Sequence, residues 1–421
     1  MRRVLGRGAI VAITWLSALD SRLSAQLPAP VAPTADVRDD GSGLTISVLT
    51  FGQGDAVWEK FGHNALRIRD ARTGSDIAYN WGTFDFEQPH FLRRFLVGNT
   101  LYWLATDPAP LMIEHYQRNL NRSGVEQVLA LTPEQKVQLR DFVLWNERPE
   151  NRNYQYDYFV DNCSTRLRDA IDRVLGGQLR RALAAKPSAH TFRSESLRLM
   201  SSLPWLQSGM QIALGQPADR PLTAWEESFI PMRLRDRLRE VRVVDGGTAR
   251  PLVAEERVLH EAAREPEATG APSLVMRFLI AGLLLAALLA VLGVRAAAGG
   301  RGARSGFAVV GAFWGLLAGT MGLLLAIAWT ATRHIFWYRN ENLFQLSPLS
   351  LLLVALVPLA VYRPRWRRAA FVVAACGAAL SVLGIVLKAL PAFDQRNLAV
   401  VLLALPVHAA LVWALRPSRS P

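Results

Sequence analysis

The stretch YQYDYFVDNCSTRLRDAIDRVLGG, residues 154–177, decides how the first part of this chain is expected to fold. Its aromatic beginning predicts an extended segment, and Asp161 or Asn162 can cap a helix that begins at Cys163. Apolar residues then recur every three or four positions, which indicates a helix over 163–175. A Gly-Gly pair ends that helix in the way left-handed glycines commonly do.

Upstream of this helix the sequence predicts the strands of a sheet. Short runs rich in β-branched and apolar residues are typical of strands. Thr132-Pro133-Glu134-Gln135 is a helix start with an N-cap threonine and a first-turn proline, and this helix is expected to run to about Asn146. Together these patterns predict a mixed α+β domain over 41–250. The predicted strands are Leu44–Phe51, His63–Arg69, Ile77–Trp81 and Thr100–Ala105.

Cys163 is one of two cysteines in the chain, and the other, Cys376, lies in an apolar C-terminal stretch. An unpaired thiol in an exported domain is a candidate reactive group. The first turn of a helix presents free backbone N–H groups and the positive end of the helix dipole, which favour a thiolate. The same N–H groups can stabilise an oxyanion on a substrate carbonyl.

A thiol nucleophile needs a base within hydrogen-bond reach, and His63 at the start of a predicted strand is the main candidate. Asn80 can orient His63 as a third residue, with Asn64 and Asp161 as alternatives, or the motif around Asn80 can be simple core packing. One Cys and one nearby His are too few for a zinc site, so neither a metal nor a cofactor is expected. The rival histidines are His90, His115, His190 and His260.

Charge divides the chain at about residue 272. The residues beyond it include 14 basic and two acidic side chains, so they carry +12 of the chain's net charge of +13. A domain that binds nucleic acid would carry its excess charge on a folded polar face, whereas the first 272 residues are nearly neutral. Nucleic acid is therefore not an expected partner. The basic region is also the apolar one, which excludes a wholly soluble protein.

Five apolar stretches predict an all-α transmembrane domain over 273–421. Most are long enough to cross a hydrocarbon core of roughly 30 Å, although the third is short and contains Pro358. The stretches are Leu274–Val294, Gly306–Thr332, Pro348–Tyr362, Ala369–Leu387 and Leu398–Leu415.

The loops between these stretches predict an orientation. The loops after the first and third stretches and the C-terminal tail hold nine arginines and no acidic residue. Such loops face the cytoplasm by the positive-inside rule. With five spans and a cytoplasmic C-terminus, everything before Leu274 lies outside. The chain is expected in a bacterial inner membrane, with its first domain in the periplasm.

The N-terminus agrees with this topology. Arg2 and Arg3 precede a mostly apolar stretch, and Leu23-Ser24-Ala25 is a possible cleavage site. Residues 1–25 are therefore predicted to be a signal peptide or an N-terminal anchor. Residues 26–40 are interpreted as a linker, and residues 251–272 as a charged tether to the membrane domain.

Three motifs, in their order along the chain, resemble a known family: FGHNALRIRD (61–70), YNWGTFDF (79–86) and YFVDNCSTRLRD (158–169). They resemble the exported domain of Lnb-type bacterial lipoprotein N-acyltransferases, whose members also end in several membrane spans. More distantly, a strand histidine followed by Asn-Cys at a helix start resembles the permuted papain-like group, which includes NlpC/P60-related enzymes. Further similar stretches are TFRSESL (191–197), LGQPADRPLTAWEESFIP (214–231) and HIFWYRNENLF (334–344).

The resemblance implies a permuted papain-like, NlpC/P60-like domain with Cys163 as nucleophile and His63 as base. It implies that the thiol takes an acyl chain from a membrane phospholipid as a thioester. The α-amine of the diacylglyceryl-cysteine at a bacterial lipoprotein's N-terminus then accepts that chain. Phospholipid and lipoprotein are thus the expected partners, and the spans are expected to shape a lateral groove for acyl chains.

Further residues are candidates for substrate binding. Asn162 and Asp161 flank the cysteine, while His334, Asn340 and Asn342 lie in a loop predicted on the same side of the membrane as Cys163. These loop residues are expected near lipid headgroups, with the alternative that they only cap the ends of spans.

Two other functions use the same features. An NlpC/P60-like cell-wall peptidase or amidase would apply the Cys–His pair to a peptide bond, although it would not need a large membrane domain. A non-enzymatic membrane receptor or assembly factor would carry the thiol only incidentally.

Overall fold

The computed structural model describes residues 40–417. The predicted signal peptide or anchor and almost all of the predicted linker therefore lie outside the described residues. The described part is a mixed sheet-and-helix domain followed by long apolar helices, which confirms this level of the sequence prediction.

A seven-stranded sheet is the frame of the first domain. Its strand order is β11-β5-β1-β2-β3-β4-β6, and every neighbouring pair is antiparallel. The strands are β1 Leu44–Phe51, β2 His63–Asp70, β3 Ser75–Thr83, β4 Leu101–Pro108, β5 Gly124–Leu129, β6 Asn153–Gln155 and β11 Val253–His260. Two small ribbons pair β7 Pro187–Thr191 with β8 Pro221–Thr223, and β9 Arg242–Asp245 with β10 Thr248–Pro251.

Nine α-helices accompany these strands in the described part of the domain. They are α1 Phe91–Val97, α2 Ala109–Glu114, α3 Pro133–Glu147, α4 Cys163–Val174, α5 Gln178–Ala184, α6 Phe192–Leu199, α7 Pro204–Ala213, α8 Ala224–Glu227 and α9 Pro231–Glu240. A short π-helix, His115–Asn119, continues α2.

The helix that opens at Cys163 is fixed against the sheet by its apolar face. Leu167 and Ile171 are fully buried and share one core cluster with Leu66 of β2 and Trp81 of β3. Burying a leucine or isoleucine side chain contributes roughly 1.5–3 kcal/mol. The first turn of α4, and with it Cys163, is therefore held beside β2 and β3.

The predicted elements lie close to their expected positions. β1 has the predicted bounds, and β2 begins at the predicted His63. The Thr132 hydroxyl accepts from the backbone N–H of Gln135, whose side chain accepts in turn from the N–H of Thr132. At α4 the cap is Asn162 and not Asp161.

The sheet extends past residue 250, where the sequence places the end of the domain. β11 pairs along β5, within the segment interpreted as a tether. Five of its eight residues are exposed, three of them charged, so the alternation of apolar residues that predicts a strand is missing.

The C-terminal part consists of long apolar helices. Among the described residues, four helices are long and apolar enough to cross a membrane, and a bent pair, Ile335–Phe344 with Pro348–Tyr362, makes five if it counts as one span. The two halves of that pair meet at 58°. The predicted third span is thus the irregular one. The helices are α10 Val275–Ala297, α11 Arg301–Ala331, α12 Leu352–Tyr362, α13 Arg367–Val386 and α14 Leu398–Leu415.

Glycines of α11 allow the bent segment to approach closely. A Cβ on Gly319 would lie 2.5 Å from the backbone nitrogen of Leu351, and one on Gly322 would lie 2.0 Å from the carbonyl oxygen of Leu346. Small residues permit such close packing between membrane helices. The non-helical chain is therefore buried against α11, which is how irregular backbone is tolerated at membrane depth.

Candidate functional site

Cys163 is the first residue of α4, and the turn before it is rigidly capped. The Asn162 side-chain oxygen accepts from the N–H of Thr165 at 2.9 Å, while the Thr165 hydroxyl accepts from the N–H of Asn162 at 2.8 Å. The Asn162 amide also donates to the carbonyl oxygens of Tyr158 and Phe229. Asn162 therefore fixes the position of the thiol through the backbone.

The thiol itself is 9% exposed. Burial raises the pKa of Cys163 above its usual value, although backbone hydrogen bonds from Asn64 and Ser164 and the charge of Arg122 act to lower this pKa. The predicted effect of the helix start is thus present, but burial outweighs it. The resting thiol is protonated at neutral pH, so a reaction at this sulfur needs a base.

His63 opens β2 directly before Asn64, whose backbone N–H acts on the Cys163 sulfur. Burial and the charge of Arg122 lower the pKa of His63 to about 4, while its hydrogen bond with Asn80 acts to raise it. The imidazole is therefore neutral at pH 7. A neutral imidazole can accept a proton, as a base for Cys163 must.

A short chain of hydrogen bonds fixes the orientation of the imidazole. The Asn80 side-chain nitrogen donates to Asp107 at 3.1 Å, and the Asn80 oxygen lies 3.1 Å from Nε2 of His63. With the amide oriented by Asp107, Nε2–H of His63 must donate to the Asn80 oxygen. The other ring nitrogen, Nδ1, then carries the free electron pair.

Asn80 is thus the one of the three proposed orienting residues that the structure brings to His63. The Asn64 amide donates to the Thr50 hydroxyl at 2.8 Å, and Asp161 forms an ion pair with Arg166. The core-packing interpretation of the YNWG motif also holds for its neighbours, since Trp81 is 1% exposed.

Gly82 leaves space beside the thiol. Its φ is +94°, and a Cβ there would lie 3.4 Å from Cβ of Cys163 and 3.8 Å from the ring of Tyr156. A side chain at this position would be strained by the positive φ, and its Cβ would lie in van der Waals contact with Cys163 and Tyr156. The backbone of β3 therefore forms one wall of the site, with Tyr156 next to it.

Two residues that the sequence did not single out complete the surroundings of His63. The ring of Tyr116 lies nearly parallel to the imidazole, 6.1 Å away between centroids, and the guanidinium carbon of Arg122 lies 4.8 Å from the Tyr116 centroid. Arg122 is 3% exposed and donates to the carbonyl of Gly52 at 2.8 Å. Its second terminal nitrogen has no hydrogen-bond partner in the described part of the chain.

No sequence signal marks these two residues, because Tyr116 lies in a π-helix and Arg122 in the loop before β5. In this segment the sequence singles out only His115, as one of the rival histidines, and its ring packs edge-on against the ring of Tyr116. Another rival, His190, lies 3.2 Å from the buried carboxylate of Glu195.

The loop candidates connect the membrane helices with the first domain. His334 Nε2 lies 3.0 Å from the carbonyl oxygen of Phe95 in α1. The side-chain nitrogens of Asn340 and Asn342 donate to carbonyl oxygens at the end of α7. These contacts place the three residues where the membrane helices join the first domain. Substrate binding by them stays a prediction.

The remaining motif stretches form the same junction. Arg193 pairs with Asp219 at 2.8 Å and donates to the Leu214 carbonyl, both within the buried interior. Asp219 also accepts from the backbone N–H of Arg396, and Gln395 donates to the Leu214 carbonyl. The stretches 191–197 and 214–231 of the first domain therefore bind the loop between α13 and α14.

One comparison with known proteins gives a match. The family model described as the Lnb N-terminal periplasmic domain matches residues 33–197, a range that contains every residue of the site around Cys163. No curated protein and no solved structure matches the chain. The family match confirms the resemblance that the three sequence motifs indicate.

Proposed function

We propose that this chain, whose residues 33–197 match the family model described as the Lnb N-terminal periplasmic domain, is a membrane-bound thiol acyltransferase. It moves an acyl chain from a phospholipid to the α-amine of a lipoprotein's N-terminal diacylglyceryl-cysteine, through a thioester on Cys163. The observation that carries the proposal is a buried, protonated thiol at a helix start, next to the backbone of Asn64, which directly follows a neutral imidazole that Asn80 orients.

In the first step the sulfur of Cys163 attacks an ester carbonyl of the phospholipid. A C–S bond forms and the ester C–O bond breaks, while His63 takes the thiol proton and gives it to the departing lysophospholipid hydroxyl. Because the resting thiol and imidazole are both neutral, the proton moves as the sulfur attacks and no stored ion pair is needed.

In the second step the free amine of the acceptor attacks the thioester. An N–C bond forms, the C–S bond breaks, and His63 transfers the amine proton to the leaving sulfur. A covalent thioester thus divides one difficult transfer into two easier ones.

Backbone N–H groups stabilise the tetrahedral intermediates of both steps. The N–H groups of Asn64, Cys163 and Ser164 act on the sulfur, so they lie beside the carbon that the sulfur attacks. Donors held by β2 and by a capped helix need no reorganisation when negative charge develops on the carbonyl oxygen.

The membrane helices suit this substrate pair, because both donor and acceptor are lipids anchored in one leaflet. We assign the first domain a permuted papain-like topology, since its strand histidine precedes its helix-start cysteine along the chain and the backbone of Asn64, next to that histidine, acts on the sulfur. We place the chain in the inner membrane with its C-terminus in the cytoplasm. The nine arginines of the loops after the first and third apolar stretches and of the C-terminal tail support this orientation by the positive-inside rule.

The test is transfer of a labelled acyl chain from phosphatidylethanolamine vesicles to a synthetic diacylglyceryl lipopeptide with a free amine. The wild-type chain is expected to form the labelled amide, and Cys163→Ser and His63→Ala are expected to lose it while expressing normally. Peptidoglycan is offered in parallel. Cleavage of peptidoglycan without acyl transfer would identify a cell-wall hydrolase, and full transfer by Cys163→Ser would overturn the proposal.

A further inference from the structure

Helix α1 is an apolar helix that the described chain does not cover. None of its seven residues is buried, and Leu92 and Leu96 are 68% and 59% exposed. Together with Phe86 and His90 it lines an open cavity of about 650 Å³. Large apolar side chains grouped on a surface in this way mark a contact with another molecule or with a membrane.

The hydrogen bonds that attach α1 to the rest of the chain indicate whether it faces another molecule or a membrane. The Val97 carbonyl accepts from the backbone N–H of Arg333 at 2.9 Å, and the Phe95 carbonyl lies 3.0 Å from Nε2 of His334. Both partners directly follow α11, which ends at Ala331. A span of this kind ends where the hydrocarbon core meets the headgroups, so α1 lies at that level.

Basic residues accompany the apolar side chains. Arg93 and Arg94 lie in α1 between Leu92 and Phe95, and Arg93 lines the cavity. A short helix with leucine, phenylalanine and arginine suits the interface, where apolar side chains enter the acyl region and guanidinium groups meet phosphates. A soluble protein partner would not need this location next to a membrane span.

A row of aromatic rings leads from α1 toward the thiol. Phe91 of α1 lies 6.1 Å from Phe84 between centroids, Phe84 lies 4.9 Å from Tyr102, and Tyr102 stacks on Tyr156 at 4.1 Å. Tyr156 borders the space at Gly82 beside Cys163. Tyr102 is 6% exposed, whereas Phe84 and Tyr156 are partly exposed. The row therefore links α1 to the wall of the site through packed rings, with partly exposed aromatic side chains at both ends of the Tyr102 contact.

We infer that α1 dips into the lipid leaflet that faces the first domain and that the aromatic row carries one acyl chain of a phospholipid from there to Cys163. The occupant is a phospholipid of that leaflet. The chemistry at the end of the route rests on the proposed function, whereas the insertion of α1 does not. The route requires no opening of the long helices.

The insertion of α1 is tested by photolabelling. The full chain is reconstituted in vesicles of phosphatidylethanolamine and phosphatidylglycerol that contain a phospholipid with a diazirine in its acyl chain. After irradiation, labelled peptides are expected from α1 and from the segment with Phe84 and Phe86, besides the long helices. Labelling confined to the long helices would overturn the inference, whether or not any acyl chain is transferred.

The route is tested by a double variant, Leu92→Ser with Leu96→Ser. Both side chains are exposed, so the fold should survive. Acylation of Cys163 from vesicle phospholipid is expected to fall at least tenfold, while acetylation by water-soluble p-nitrophenyl acetate stays unchanged. Leu144→Ser, at an α3 position that is 44% exposed, serves as the matched control and should keep both reactions.

Equal rates with phospholipid for the double variant and the control would overturn the route. An equal loss of both reactions in the double variant would also overturn it, because the damage would then lie at the thiol. If the wild-type chain takes acetate but no phospholipid chain, the proposed function fails, and the photolabelling still decides where α1 lies.

Discussion

His63 owes its protonation state to the groups packed around it. The ring is partly buried, and its desolvation together with the positive charge of Arg122 lowers the pKa of the imidazole to about 4. Tyr116 lies between these two groups in the stack of rings. Arg122 therefore acts through His63: its charge adds to the effect of burial in keeping the base unprotonated.

Replacing Arg122 by glutamine tests this role. In the wild-type chain, acylation of Cys163 should lose rate only as the pH falls toward about 4, where His63 becomes protonated. Without the positive charge the pKa of His63 rises, so the acid limb of the rate profile should move upward from about pH 4, although burial continues to lower this pKa. Arg122→Lys keeps the charge and should keep the limb in place. An unchanged profile for Arg122→Gln would contradict the assignment.

At this scale the sequence predicts Cys163, His63 and Asn80, because each lies in a motif with a recognisable local structure. It does not predict Arg122, Tyr116 or Asp107. These residues matter because their segments fold next to β2 and β3. Neither the charge nor the periodicity of the sequence predicts which segments do so.

At the scale of elements, α4 contributes to the candidate site mainly through its first turn, which carries Cys163. The Asn162 cap ties that turn to two carbonyl groups from other segments as well as to Thr165. The Ser164 hydroxyl adds a further link, because it donates to the carbonyl oxygen of Ser228 at 2.7 Å. The Asn162 cap and Ser164 together therefore hold the first turn of α4, and with it the sulfur, against the chain around Phe229.

We predict that Asn162→Ala lowers both stability and reactivity. Loss of an N-cap side chain costs about 1 kcal/mol, which a lower midpoint of thermal unfolding would report. Displacement of the sulfur should slow Cys163 acylation by on the order of 10- to 100-fold. Thr132→Ala removes the corresponding cap of α3 and should lower the midpoint alone. If the two variants acylate Cys163 at the same rate, the cap has no part in placing the thiol.

Elements with a periodic or capped sequence were predictable, and elements defined by their neighbours were not. β1, β2, α3 and α4 follow from local patterns. β11 carries exposed charged residues and becomes a strand only because β5 offers it an unpaired edge. α1 has only seven residues, which is too short for a helical period to stand out in the sequence.

At the scale of the whole molecule, the site and the membrane helices are parts of one arrangement. Arg193 and Asp219 join the first domain to the loop before α14, and α1 is joined to the end of α11. The position of Cys163 relative to the lipid surface is thus set by contacts at several points. Removing one partner of a buried ion pair such as this one generally costs about 3–5 kcal/mol.

The sequence predicts the order of parts and most of the apolar stretches, because length and hydropathy are local properties. It does not predict the 58° bend in the third stretch. That bend depends on glycines of α11 that admit the chain around Leu346 and Leu351, and such close approach is visible only when both segments are in place.

The most direct test of the account is the intact mass of the full chain after incubation with phosphatidylethanolamine vesicles of a single acyl composition, without any acceptor. The account predicts an increase of one acyl group, located on Cys163, removed by hydroxylamine and missing from Cys163→Ser. An unchanged mass, or an acyl group found on another residue, would contradict it.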